Sequence, residues 1–151
     1  MTLLAGGTYD PVATAVTKAT ATLAAMVAFD TTNLRRTFTV PANGAVLVHA
    51  RGVFHGAAII PQVLVGVMAG ATVISRMSPS VDVAGTIAAT TRIPWQIEWI
   101  VSGLVPGSSA VWDLAFSVEL AQASASFKYG GPNNAVSDDA FGGLAYSILT
   151  A

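Results

Sequence analysis

The chain contains no cysteine. Disulfide staples and thiolate catalysis are therefore excluded, and nothing can be read about redox compartment. Charge is almost as scarce. Only 10% of the 151 residues are Asp, Glu, Lys or Arg, against about 25% in an ordinary soluble domain. Seven basic and eight acidic residues leave a net charge of −1. No basic stripe is available to neutralise a phosphate backbone, so nucleic acid is not an expected partner. No apolar run reaches the roughly 18 residues that a membrane-crossing helix needs, so no membrane partner is expected either. Met1 to Ala5 carries no basic residue, so a secretory signal is not expected there. G-x-S-x-G, Walker and H-E-x-x-H patterns are all missing. With no assembled nucleophile, base or ligand cluster, the reading is of a protein that is not an enzyme and takes no cofactor.

Apolar residues, by contrast, make up 53% of the chain. Much of this is alanine, which is tolerated anywhere. So few charges would still struggle to cover the surface of a monomer, and extended apolar surface marks interfaces. An oligomer, or a subunit of a larger assembly, is the expectation.

Alternation supplies the fold class. From Ile93, residues Trp95, Ile97, Trp99 and Val101 share one parity, against Gln96, Glu98 and Ser102. Trp112, Leu114, Phe116, Val118 and Leu120 do the same against Asp113, Ser117 and Glu119. Strands send alternate side chains to opposite faces, so these are two strands with one apolar face each. Pro106-Gly107 between them suits a type II turn, which takes proline second and glycine third. The pair is expected to be a hairpin.

The remaining chain reads similarly. Pro41-Ala-Asn-Gly44 is a turn, and Ala45 to Phe54 after it alternates Val46, Val48 and Ala50 against Leu47, His49 and Arg51. Gln62 to Met68 is apolar on both parities, so a strand there is covered on both faces. Thr72 to Met77, a stretch near Thr86 to Arg92 and Gly142 to Leu149 are further strand candidates. Seven or eight short strands with regular turns predict an all-β, antiparallel β-sandwich of the jelly-roll kind. Residues 12–29 are rich in Ala, Thr and Val. Ala19 to Val27 has some helical character, but its β-branched residues favour an extended N-terminal arm. The domain reading is an arm over 1–29 and a sandwich over 30–151. The doubly apolar strand and the arm supply the candidate interface residues: Val63, Leu64, Val65, Val67 and Met68 from the first, and Leu23, Met26 and Val27 from the second.

Side chains that could carry chemistry are few. His49 and His55 are the only histidines, and no further ligands stand near them at metal spacing. Asn133, Asn134, Asp138 and Asp139 offer oxygens of the kind calcium uses, but fit turn formation more simply. Trp95, Trp99 and Trp112 could make a sugar-binding platform, although their parity with Ile, Val and Leu fits a core. Glu98 and Glu119 could face one another as a carboxylate pair, or be two solvated surface groups.

Phe38-Thr-Val-Pro-Ala-Asn-Gly-Ala-Val-Leu-Val48 resembles the F-x-x-P-x-x-G-x-V-x-V opening of jelly-roll subunits of the tumour-necrosis-factor-like and C1q-like kind. The Gly103-Leu-Val-Pro-Gly107 turn followed by Trp112 recurs there too. Together with the Ala- and Thr-rich N-terminal stretch and Asp30-Thr-Thr-Asn-Leu34, the chain over residues 10–149 is similar to small virion proteins of tailed phages infecting actinobacteria. The resemblance implies a non-enzymatic structural protein on the outer surface of a phage head or tail. A homotrimeric capsid decoration protein contacting major capsid subunits is the first expectation. A minor tail or fibre-associated protein contacting tail proteins is the second, and a carbohydrate-binding sandwich module the third.

Overall fold

A computed structural model describes residues 1–11, 16–19, 25–55, 59–60, 62–77, 85–86, 92–118, 126–131 and 143–151. Among these residues there are thirteen strands and no helix. They are β1 (Leu3–Tyr9), β2 (Val16–Ala19), β3 (Val27–Ala28), β4 (Arg35–Thr39), β5 (Val46–His55), β6 (Ile59–Ile60) and β7 (Val63–Ala69), followed by β8 (Thr72–Met77), β9 (Gly85–Thr86), β10 (Arg92–Val101), β11 (Ser109–Val118), β12 (Ser126–Tyr129) and β13 (Leu144–Thr150). All pairings are antiparallel. The chain is an all-β sandwich of two antiparallel sheets.

The first sheet is centred on β5. It carries β10 along one edge, and β13 followed by β1 along the other. Near its end β5 also meets β12, which is paired to β2. The second sheet is centred on β11, with β7 and then β8 on one side. On its other side β4 and β3 lie end to end.

One set of these pairings is nested. β7 pairs β8, β6 pairs β9, β5 pairs β10, β4 pairs β11, β2 pairs β12 and β1 pairs β13. Each pair encloses the one before it in sequence. The chain is thus one long antiparallel ribbon whose tip is the turn at Gly70-Ala71. The pairings β5 with β13 and β7 with β11 form when the ribbon curls over onto itself.

The core lies between the sheets, where alternation places it. Along β10, Ile93, Trp95, Ile97, Trp99 and Val101 are buried and the residues between them are exposed. On β5, Val46, Val48 and Ala50 are inward and fully buried. Aromatic rings fill one end: Phe29 packs on Phe116 with centroids 4.9 Å apart, and Phe54 on Phe127 at 4.6 Å. Tilted and edge-on contacts of this kind add to the burial of the rings themselves.

One sequence expectation, the hairpin, is corrected here. The turn after β10 has the expected form: Ser108 N–H donates to the Val105 carbonyl, Pro106 is second, and Gly107 has φ of 75° in third position. The strands it joins, however, belong to opposite sheets, so they form a crossing and not a hairpin. β5 is the partner of β10 over ten residue pairs from Arg92 to Val101. The alternation of a crossing strand is the same as that of a hairpin strand, because both have one face on the core. Of residues 1–29, the expected arm, the described part pairs with both sheets: β1 pairs β13, β2 pairs β12, β3 pairs β11, and Phe29 is 1% exposed in the core.

Candidate functional site

The few charged and polar side chains of known geometry hold the fold together. Arg35 on β4 donates to Asp113 on β11 through Nε to Oδ1 at 2.8 Å and Nη2 to Oδ2 at 2.9 Å. The fork matches the carboxylate in two places at once. Hydrogen bonding and attraction to Asp113 raise the Arg35 pKa above its ordinary value. Arg36, one residue on, points between the sheets. Its Nε donates to the Tyr146 carbonyl at 3.1 Å, its Nη1 donates to the Asn33 and Arg35 carbonyls, and its guanidinium lies 5.4 Å from the Tyr146 ring centroid. Burial lowers its pKa. Arg36 thereby ties the second sheet to β13 of the first. Asp30 accepts the N–H groups of Thr32 and Asn33 and fixes the turn before β4. His55 is fully buried, with Nε2 3.0 Å from the Gly130 carbonyl.

The outer face of the first sheet has a different character. Register aligns its side chains into rows running across β1, β13, β5 and β10, since directly paired residues point to the same face. One row is Leu3, Leu149, Leu47 and Ile100; the next is Gly6, Ser147, His49 and Glu98; the third is Thr8, Ala145, Arg51 and Gln96. Leu3 and Ile100 are 60% and 64% exposed, and Leu47 and Leu149 are half-buried. Four large apolar side chains therefore form a continuous stripe, with two polar rows beside it. A bulge in β1 permits this arrangement. It lets both Leu4 and Ala5 pack toward the core while Leu3 stays on the outer face.

Beside the third row lies an open groove of about 500 Å³, lined by Thr8, Arg51, Val53, Pro94, Gln96, Gly143 and Ala145, with Gly52 and Trp95. Its width comes from the small residues on the β1 and β13 side. Gly52 is required beneath it, because a Cβ there would stand 2.3 Å from Leu144 Cδ2.

The second row brings Ser147, His49 and Glu98 side by side, an alignment not visible in sequence because it depends on two registers. His49 Nε2 is 3.9 Å from Glu98 Oε1, within ion-pair reach but beyond a hydrogen bond.

The candidate interface residues divide by parity. Val63, Val65 and Val67 on β7 face the inter-sheet core of their own chain. Met68 lies on the outer side, where it packs with Met26, Ala115 and the partly buried Val73. The second face of β7 is thus covered by the chain itself. Met26 reaches so close that a Cβ on Gly66 would stand 2.7 Å from its Cε. Leu64 is half-buried and Val27 is 46% exposed. Leu23 lies outside the described residues.

The other candidates are equally scattered. Trp95, Trp99 and Trp112 are 4%, 6% and 3% exposed and face inward, so they form no platform for a sugar. Trp99 Nε1 donates to Ser75 Oγ at 2.7 Å, across the sandwich from β10 to β8. Asn133, Asn134, Asp138, Asp139 and Glu119 lie outside the described residues. Among the described residues no three His, Asp or Glu side chains group as metal ligands, and no helix is long and apolar enough to cross a membrane.

Fold and surface together define a two-sheet antiparallel sandwich with an outer sheet face graded from apolar to polar. In sequence, the chain matches no protein-family model and no curated protein.

Proposed function

We propose that the protein is a structural subunit of a phage particle, a jelly-roll decoration protein seated on the outer surface of the head. The observation that carries this reading is the nested pairing. An antiparallel ribbon with its tip at Gly70-Ala71, curled so that β5 meets β13 and β7 meets β11, supports the jelly-roll reading. That connectivity supports the resemblance to small virion proteins drawn from Phe38 to Val48 and from the Gly103 to Gly107 turn. The distribution of polar groups points the same way. Arg35, Arg36, Asp30, Asp113 and His55 are engaged in closing the fold. The prominent free surface is a sheet face suited to another protein surface. On a shell the same contact recurs many times, and avidity raises occupancy without stronger single contacts.

The test is direct. An antibody against the protein is applied to particles purified from its source, and the particles are analysed by mass spectrometry. Gold label on heads, with copy number comparable to the major shell protein, supports the reading. Label confined to tails assigns the minor tail role instead. Absence from purified particles removes both.

A further inference from the structure

We infer that the outer face of the first sheet is a self-association surface, and that its occupant is the same face of a second copy related by a two-fold axis. The inference rests on the reading of the chain as an assembly subunit, and it specifies the contact.

Size complementarity carries it. On the β5 and β10 half of the face the polar rows hold large side chains, His49 and Glu98 among them. On the β13 and β1 half, the residues in the same rows are small: Ser147 beside His49, then Gly6. A two-fold axis running along the strands between β13 and β5 keeps each row on itself and reverses its order. Glu98 of one copy then lies over Gly6 of the other, and His49 over Ser147. Large side chains meet small ones, and no like charges are brought together. The same operation lays the apolar stripe on itself, with Ile100 over Leu3. Two-fold interfaces are self-complementary in this sense, with one patch serving both partners.

β1 and β13 are seven residues long, so four strands at about 4.8 Å spacing and seven residues at about 3.3 Å give a face of about 440 Å² in projection, before side-chain relief adds to the accessible area. A standard interface takes about 800 Å² of accessible surface from each partner. Exposed Leu3 and Ile100, at 60% and 64%, stand to lose the most water.

The experiment uses the full chain and needs no phage. Native mass at micromolar concentration is expected to be twice the 15.4 kDa of one chain, or an even multiple. Ile100→Asp is expected to weaken association by roughly 30-fold or more, the scale of a hot-spot side chain. Its circular dichroism should match the wild type, because the side chain is exposed. The absence of cysteine gives a second readout. Leu47→Cys and Leu149→Cys chains, mixed and treated with a short bis-maleimide, are expected to cross-link to one another, whereas Val111→Cys on the outer side of β11 is not expected to cross-link. A monomer at high concentration, a trimer, or a dimer indifferent to Ile100→Asp overturns the inference. None of these outcomes bears on whether the protein is found in virions, so the two readings fail separately.

Discussion

The Gly44 carbonyl accepts the Leu104 N–H at 3.0 Å, and this bond joins two of the places where the chain passes from one sheet to the other. The crossing from β4 to β5 turns at Pro41–Gly44, and the crossing from β10 to β11 at Val105–Ser108. Val40 N–H donates to Ser108 O and Gly107 N–H to Val40 O, both at 2.9 Å, so the two crossings run as a paired ribbon through the bend. Gly44 sits at φ of 65°, and a Cβ there would lie 2.7 Å from Leu104 O.

Replacing Gly44 with Ala is therefore expected to lower stability by about 3 kcal/mol, the upper end of the range for backbone strain at one residue. Gly103 is the control. Its φ is 76°, but nothing lies within 4 Å of a Cβ built there. Gly103→Ala should cost only about 1 kcal/mol, the left-handed penalty alone. Urea unfolding followed by tryptophan emission measures both, because Trp95, Trp99 and Trp112 are all buried. Equal losses at the two positions would mean that the contact between crossings contributes nothing.

β5, β7, β8, β10, β11 and β13 and the turns at Pro41–Gly44 and Val105–Ser108 were legible in the sequence, because each is a local pattern. Thr72–Met77 has the expected bounds, and Val46–His55 and Val63–Ala69 are displaced by one residue. Which sheet a strand enters was not legible. Trp99 and Trp112 alternate with polar neighbours whether their strands pair together or face one another across the core. The outer face was hidden for a related reason. Leu3, Leu149, Leu47 and Ile100 come from four separate stretches, and only the registers of β1, β13 and β10 align them. The cover over β7 was legible as a need but not as an identity. Sequence required something against Met68, and Met26 supplies it.

Truncation distinguishes an arm from an integral strand. Were residues 1–29 an arm, their removal would leave the sandwich folded. Met26 and Phe29, however, are buried, and β1 pairs along the edge of β13. Deletion of 1–29 is expected to give insoluble protein. Deleting only residues 1–9 removes Leu4, Ala5 and Tyr9 from the margin of the core. The expected loss is about 3 kcal/mol or more. The bared edge of β13 should also promote aggregation. Thermal unfolding with light scattering reads both effects, and an unchanged midpoint would restore the arm.

Two tyrosines couple stability to high pH. Tyr129 and Tyr146 are fully buried, and their hydroxyls have no hydrogen-bond partner among the described residues. Burial pushes both pKa values well above the ordinary tyrosine range, with Asp30 and Tyr9 adding to the rise at Tyr129, while the Arg36 charge acts against it at Tyr146. A phenol that resists ionisation in the folded state ionises first in the unfolded one. Its stabilisation is complete below the unfolded pKa of about 10 and is lost as pH rises above that value. Stability is expected to be level from pH 8 to about 10, then to fall by about 1.4 kcal/mol per pH unit for each of the two groups. Tyr146→Phe should flatten the slope by half. Spectrophotometric titration in parallel should show these two phenols ionising only as the chain unfolds, and ionisation in the native state would contradict their burial.

Arg35 and Asp113 differ in exposure, with side chains 45% and 4% accessible, and this asymmetry determines how their pair responds to mutation. The carboxylate is committed to the interior and the guanidinium reaches in from outside. Removing the cation leaves Asp113 desolvated without its two donors, whereas a lysine offers charge without the fork. Melting temperature is expected to fall in the order wild type, Arg35→Lys, Arg35→Met. The loss in Arg35→Met should persist at about 0.5 M salt, because screening acts on solvent-exposed charges and much less on buried ones. Asp113→Asn together with Arg35→Met should recover part of the loss, since the double variant no longer buries an unpaired charge. A double variant less stable than Arg35→Met alone would show that Asp113 is held by contacts other than this pair.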